Sequence, residues 1–217
     1  MYVLFLRQPS LRYLPLKQYL KKLMTELKIE DLLSADEYDK KRDELLSIAN
    51  SERELRTVRI GNNVSLLFEN KEIVQNKLQE LLRDENVIQS EEIQETLSIY
   101  KLLLPDTNNL KASMFIGSDD KEKLNFFAED GKGIDKRVWI QIGENDRVFG
   151  SSHTNAIHAH TKDYEKVFVL EFDFSNLMVK DFQAGMVLYA GIDHPKYNIR
   201  TKEILKETTT SLAKDFL

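Results

Sequence analysis

The chain has 217 residues, 31 of them basic and 36 acidic, for a net charge of −5. It contains no cysteine, which excludes disulfides, thiolate-ligated zinc, cysteine-ligated iron–sulfur clusters and thiol nucleophiles. No stretch approaches the ~20 apolar residues that span a bilayer, and the acidic balance disfavours a phosphate-binding face, so neither a transmembrane segment nor nucleic-acid binding is expected.

The first 23 residues differ from the rest. They hold Arg7, Arg12, Lys17, Lys21 and Lys22 and no acidic residue, which leaves 26 basic against 36 acidic residues in the remainder. Pro15 can open a helix, and Leu16, Leu20, Leu23 and Leu27 then share one face. Three readings stay open: a membrane-surface or targeting helix, an amphipathic helix packed on the domain, or a segment ahead of a true start at Met24. The organisation expected is therefore a basic extension over 1–23 and a single cytoplasmic α+β domain over 24–217.

Ser34 and Glu37 form a capping box that opens a helix, with Tyr38, Leu45, Leu46 and Ala49 on a common face. Residues 57–60 and 64–68 flank Gly61-Asn62-Asn63 and read as a hairpin. Asn70 caps a helix whose buried stripe is Val74, Leu78, Leu81, Leu82 and Val87. Ser90 is read as the cap of the next helix, which Pro105 stops near Leu104. Further strands are predicted over 112–116, 138–142, 167–174 and 186–192, with helices over 118–128, 175–182 and 202–214. Helices and strands do not alternate regularly. The fold class is thus α+β, a mainly antiparallel sheet with N-terminal helices and helices packed on one side.

The run from Arg59 to Asn70, continued by Gln75 to Arg83, and the run Gly191-Ile192-Asp193-His194-Pro195-Lys196-Tyr197 resemble an uncharacterised prokaryotic family, catalogued as domain of unknown function 3501. Its marks are Phe68-Glu69-Asn70 and Asp193-His194-Pro195-Lys196-Tyr197. The resemblance begins near Met24, which favours the misplaced-start reading of residues 1–23. It implies no chemistry. It does imply genes neighbouring those of rubrerythrin-like and iron–sulfur oxidoreductases, hence a redox or iron–sulfur protein as partner. Any cluster would belong to that partner. The segment His153 to His160 is not part of the family's pattern.

Three constellations are candidates. Glu69 and Asn70 sit where a strand meets a helix N-terminus, a place for anions or catalytic carboxylates. The plainer reading is a capping Asn70, with Glu69 paired to Arg59 or set on the helix dipole. Asp193 and His194 would be a second binding pair, a base with its orienting carboxylate, provided a turn brings them to one side. The plainer reading is a polar turn. If Glu69, Asp193 and His194 converge, they suit a divalent metal. His153, His158 and His160, aided by Asp163, form a third, metal-binding candidate against the plainer reading of a surface loop. The expectation is a non-catalytic accessory or interaction protein beside a redox or iron-handling system. The alternative is a metal-dependent enzyme or metal-binding protein built on Glu69, Asp193 and His194.

Overall fold

Alternation in the strands sets which side chains meet. In the computed structural model, which describes residues 26–87, 89–117, 132–153 and 166–216, the chain forms nine strands and five α-helices over those residues. The helices are α1 (Ala35–Leu55), α2 (Lys71–Asp84), α3 (Ser90–Tyr100), α4 (Asn176–Gln183) and α5 (Lys206–Leu212). The strands are β1 (Thr57–Ile60), β2 (Val64–Phe68), β3 (Asn109–Ile116), β4 (Val138–Ile142), β5 (Val148–Phe149), β6 (Ser151–His153), β7 (Lys166–Asp173), β8 (Leu188–His194) and β9 (Tyr197–Arg200). They build two antiparallel sheets, β1-β2-β3-β7-β6 and β5-β4-β8-β9. The α+β class stands.

The two sheets share one core. Leu66 and Phe68 of β2, Met114 of β3, Ile140 of β4 and Ile192 of β8 belong to it. Residues of opposite parity on the larger sheet, Leu67 and Phe115, instead meet Ile73 of α2. The molecule is thus layered: helices α1 to α3, the five-stranded sheet, then the four-stranded sheet. Helices α4 and α5 add Val179, Phe182 and Leu212 to the inter-sheet core, and Phe216 meets Phe174 and Phe182 edge-on at 5.6 and 5.8 Å.

The sheets come together at both borders. On one side β5 runs into β6 across Gly150. On the other, Tyr197 Oη donates to the Ile60 carbonyl at 2.9 Å. That approach leaves room only for glycine in the β1–β2 turn: Gly61 has φ 71°, and a Cβ there would lie 2.5 Å from Tyr197 Oη.

A buried arginine fastens the core to the helical layer. Arg56 is 1% exposed. Its Nε donates to the Phe68 carbonyl at 2.9 Å, Nη1 to Ser211 Oγ at 3.0 Å and Nη2 to the Glu69 carbonyl at 3.1 Å. Its charge is met by the Asp215 carboxylate.

Several elements differ from the sequence reading. Ser90 is the first residue of α3, not its cap, and its hydroxyl bonds Glu91. Asp193 and His194 extend β8 instead of forming a turn, which falls at Pro195-Lys196. Helix α5 starts at Lys206 rather than near 202, because Thr201 and Ile204 donate backbone hydrogen bonds to Ala190 and Leu188 of β8. The predicted helix over 118–128 and the extension over 1–23 lie outside the described residues.

Candidate functional site

Glu69 continues the outward parity of Leu67, so it points from the sheet into the helical layer, where it is fully buried. Its Oε1 accepts from Lys77 Nζ and from Ser113 Oγ. Among the described residues its Oε2 is buried without a hydrogen-bond partner. Lys77 sits two turns into α2, so the same helix that Glu69 precedes supplies its counter-charge. Arg59, the partner considered from sequence, is exposed on β1. Burial pulls the Arg53 guanidinium below its ordinary value, against the opposing field of Glu69. Asn70 caps α2: its side chain accepts from Ile73 N at 2.9 Å and donates to Glu52 at 3.2 Å.

Asp193 and His194 are adjacent on one strand and therefore face opposite sides. His194 shares the parity of Ile192 toward the inter-sheet core and is 7% exposed. Its Nδ1 accepts from the Lys196 backbone N at 3.3 Å. Asp193 lies on the outer face, accepting from Trp139 Nε1 at 2.9 Å and Arg147 Nη1 at 2.6 Å. The Arg147 guanidinium stacks 4.0 Å from the Trp139 ring centroid. The two side chains therefore form no dyad.

The structure does not bring Glu69 to this pair. Tyr197, opposite His194 in the β8–β9 register, bonds Ile60 at the turn end of the β1–β2 hairpin. Glu69 follows the far end of β2, beyond the Thr57–Leu67 pair, roughly 15 Å away at ~3.3 Å per residue. Among the described residues there is no group of three or more His, Asp or Glu side chains able to hold a metal. His153 places its backbone on β6 opposite Val169. Its side chain, with His158, His160 and Asp163, lies outside the described residues.

What the helical layer does present is a groove between α1 and α2, a cavity of about 350 Å³. Leu33, Leu45, Ile48 and Ala49 give it an apolar wall, and Lys41 and Glu72 are exposed beside it. Tyr38, Gln75, Asn76 and Gln79 are tied up within the protein. Tyr38 Oη donates to Glu80 Oε1 at 2.8 Å and accepts from Asn76 Nδ2 at 3.0 Å. Burial, followed by the Glu80 hydrogen bond, pushes the Tyr38 phenol far up. Gln79 bonds both the N–H and the carbonyl of Leu33, and Gln75 donates to the Asp31 carbonyl. Ile48 is nevertheless 52% exposed. Sequence reasoning found the Tyr38, Leu45 and Ala49 face but passed over Ile48. The available signal was one β-branched apolar residue in a helix otherwise rich in charge.

A family model described as "Protein of unknown function (DUF3501)" matches residues 26–216. Among solved structures, a novel protein of unknown function from Burkholderia pseudomallei K96243 is similar at 28% identity and TM-score 0.80, over 88% of this chain and 98% of that one. No curated protein matches. The chain belongs to the family described as protein of unknown function DUF3501.

Proposed function

We propose that this chain is a non-catalytic interaction protein that receives an amphipathic helix of a partner in the α1–α2 groove. The observation that carries this is the groove's composition: an apolar wall with Ile48 half in solvent, beside Tyr38, Gln75, Asn76 and Gln79, which are already bonded within the protein. Such a surface offers shape and apolar area, the terms of helix-in-groove recognition. The partner belongs to a redox or iron-handling system, the association that the family resemblance implies. With no cysteine in this chain, any thiolate-ligated centre would be the partner's.

A photoreactive amino acid at position 48, activated in cells of the native host, tests the reading. The expected result is one predominant adduct, with a cofactor-bearing redox or iron protein, abolished by Leu45→Asp in a chain whose Tm is unchanged. Adducts indifferent to Leu45→Asp would overturn it.

A further inference from the structure

We infer that the α1–α2 groove reads charge as well as shape: the partner helix it receives carries a basic residue at one end of its apolar ridge and an acidic residue at the other, about two turns apart. The inference rests on reading that groove as a docking surface, and it specifies the partner's chemistry. Three observations support it.

The first is the polarity of the walls. Helices α1 and α2 are antiparallel: Arg42, early in α1, grips Glu80, late in α2, while Glu52, late in α1, accepts from Asn70 at the start of α2. Lys41 therefore stands at the end of the groove where Gln79 holds Leu33. Glu72 stands at the opposite end, where Gln75 holds Asp31. From Glu72 to Gln79 the axis of α2 rises about 10 Å, close to two turns.

The second is that these two charges are uncommitted. Asp31, also in the lining, is already paired with Lys71 at 2.9 Å. Lys41 and Glu72 are exposed, and among the described residues neither side chain enters a salt bridge or hydrogen bond. Lys41 meets the field of Glu37, one turn earlier, whose carboxylate the Ser34 hydroxyl already holds. The third is what lies between the poles. Leu45, Ile48 and Ala49 of α1 line that stretch with apolar surface. An apolar ridge fits it in many registers, whereas a charge at each end fixes one. A like charge set against either pole repels, so the poles supply selectivity more than affinity.

Synthetic peptides of about 14 residues, four helical turns, test this by fluorescence anisotropy against the full chain. They are stapled on the polar face and share one leucine ridge. The first carries Lys at one end of the ridge and Glu at the other, so it meets both poles in one of its two directions. The second carries Lys at both ends and the third Glu at both. Wild type should bind the mixed peptide about threefold more tightly than either of the others, the worth of one exposed charge pair. The preference should vanish at about 1 M salt. Lys41→Glu should turn the preference to the all-lysine peptide, and Glu72→Lys to the all-glutamate peptide. Equal affinities for the three, or a preference that neither variant turns, would overturn the inference. If the three bind equally and Leu45→Asp abolishes binding, only the charge reading falls. If no peptide binds, or Leu45→Asp changes nothing, the docking surface falls with it.

Discussion

Arg56 surrenders its water and receives three polar oxygens and one carboxylate in return. Removing one partner of such a buried pair costs about 3–5 kcal/mol, because the other charge stays behind. Arg56→Met should therefore lower the unfolding free energy by about 3 kcal/mol or more in urea titration. Glu69 is a gentler case, since Lys77 keeps some contact with solvent. Glu69→Ala strands the Ser113 hydroxyl and should cost about 2 kcal/mol by the same measurement. Gly191 meets a steric limit: a Cβ there would lie 2.2 Å from the Trp139 ring and 2.7 Å from the Ile199 carbonyl. Gly191→Ala should cost about 1–3 kcal/mol and perturb the indole fluorescence. Asn70 was legible in the sequence as a cap because capping is local. Arg56 was not, because its acceptors are mostly carbonyls and its counter-ion lies 159 positions away.

Between elements, α1 and α2 are joined by Tyr38, Arg42 and Glu80. Arg42 Nε and Nη2 grip Glu80 at 2.8 and 2.7 Å, and this hydrogen bonding holds the Glu80 carboxyl below its ordinary range. A carboxyl depressed in the folded state adds stability above its unfolded pKa, and that stability is lost as pH falls through the folded value. Glu80→Gln should thus flatten the loss of stability below about pH 4.3, the ordinary glutamate pKa, in urea midpoints measured against pH. Wild type and variant should converge at the acid end. The β1–β2 hairpin and α4 were readable because a turn signal and a serine cap mark them locally. Strands β5, β6 and β9 have two to four residues, too few for alternation to register. Strand β8 runs through Asp193 and His194 because β9 pairs with both, a fact of the ladder rather than of those residues.

At the scale of the whole molecule, the α+β class could be read from periodicity. The pairing of two sheets around one core could not, because alternation tells which residues are buried but not against what. Exposure then separates residues that serve folding from those that do not. Leu78→Ala, in the helical seam, should cost about 3 kcal/mol. Ile48→Asp should stay within about 0.5 kcal/mol of wild type, as surface changes do. Equal losses at the two positions would make Ile48 an ordinary core residue. No described helix is long and apolar enough to cross a membrane. The Arg56 latch also imposes an order on biosynthesis. Both sheets and the helical layer are translated before Asp215. Until then a nascent chain would have to bury a guanidinium without its carboxylate. The charge that closes the fold therefore follows both sheets in the chain, and truncation ahead of Asp215 should yield chains routed to proteolysis.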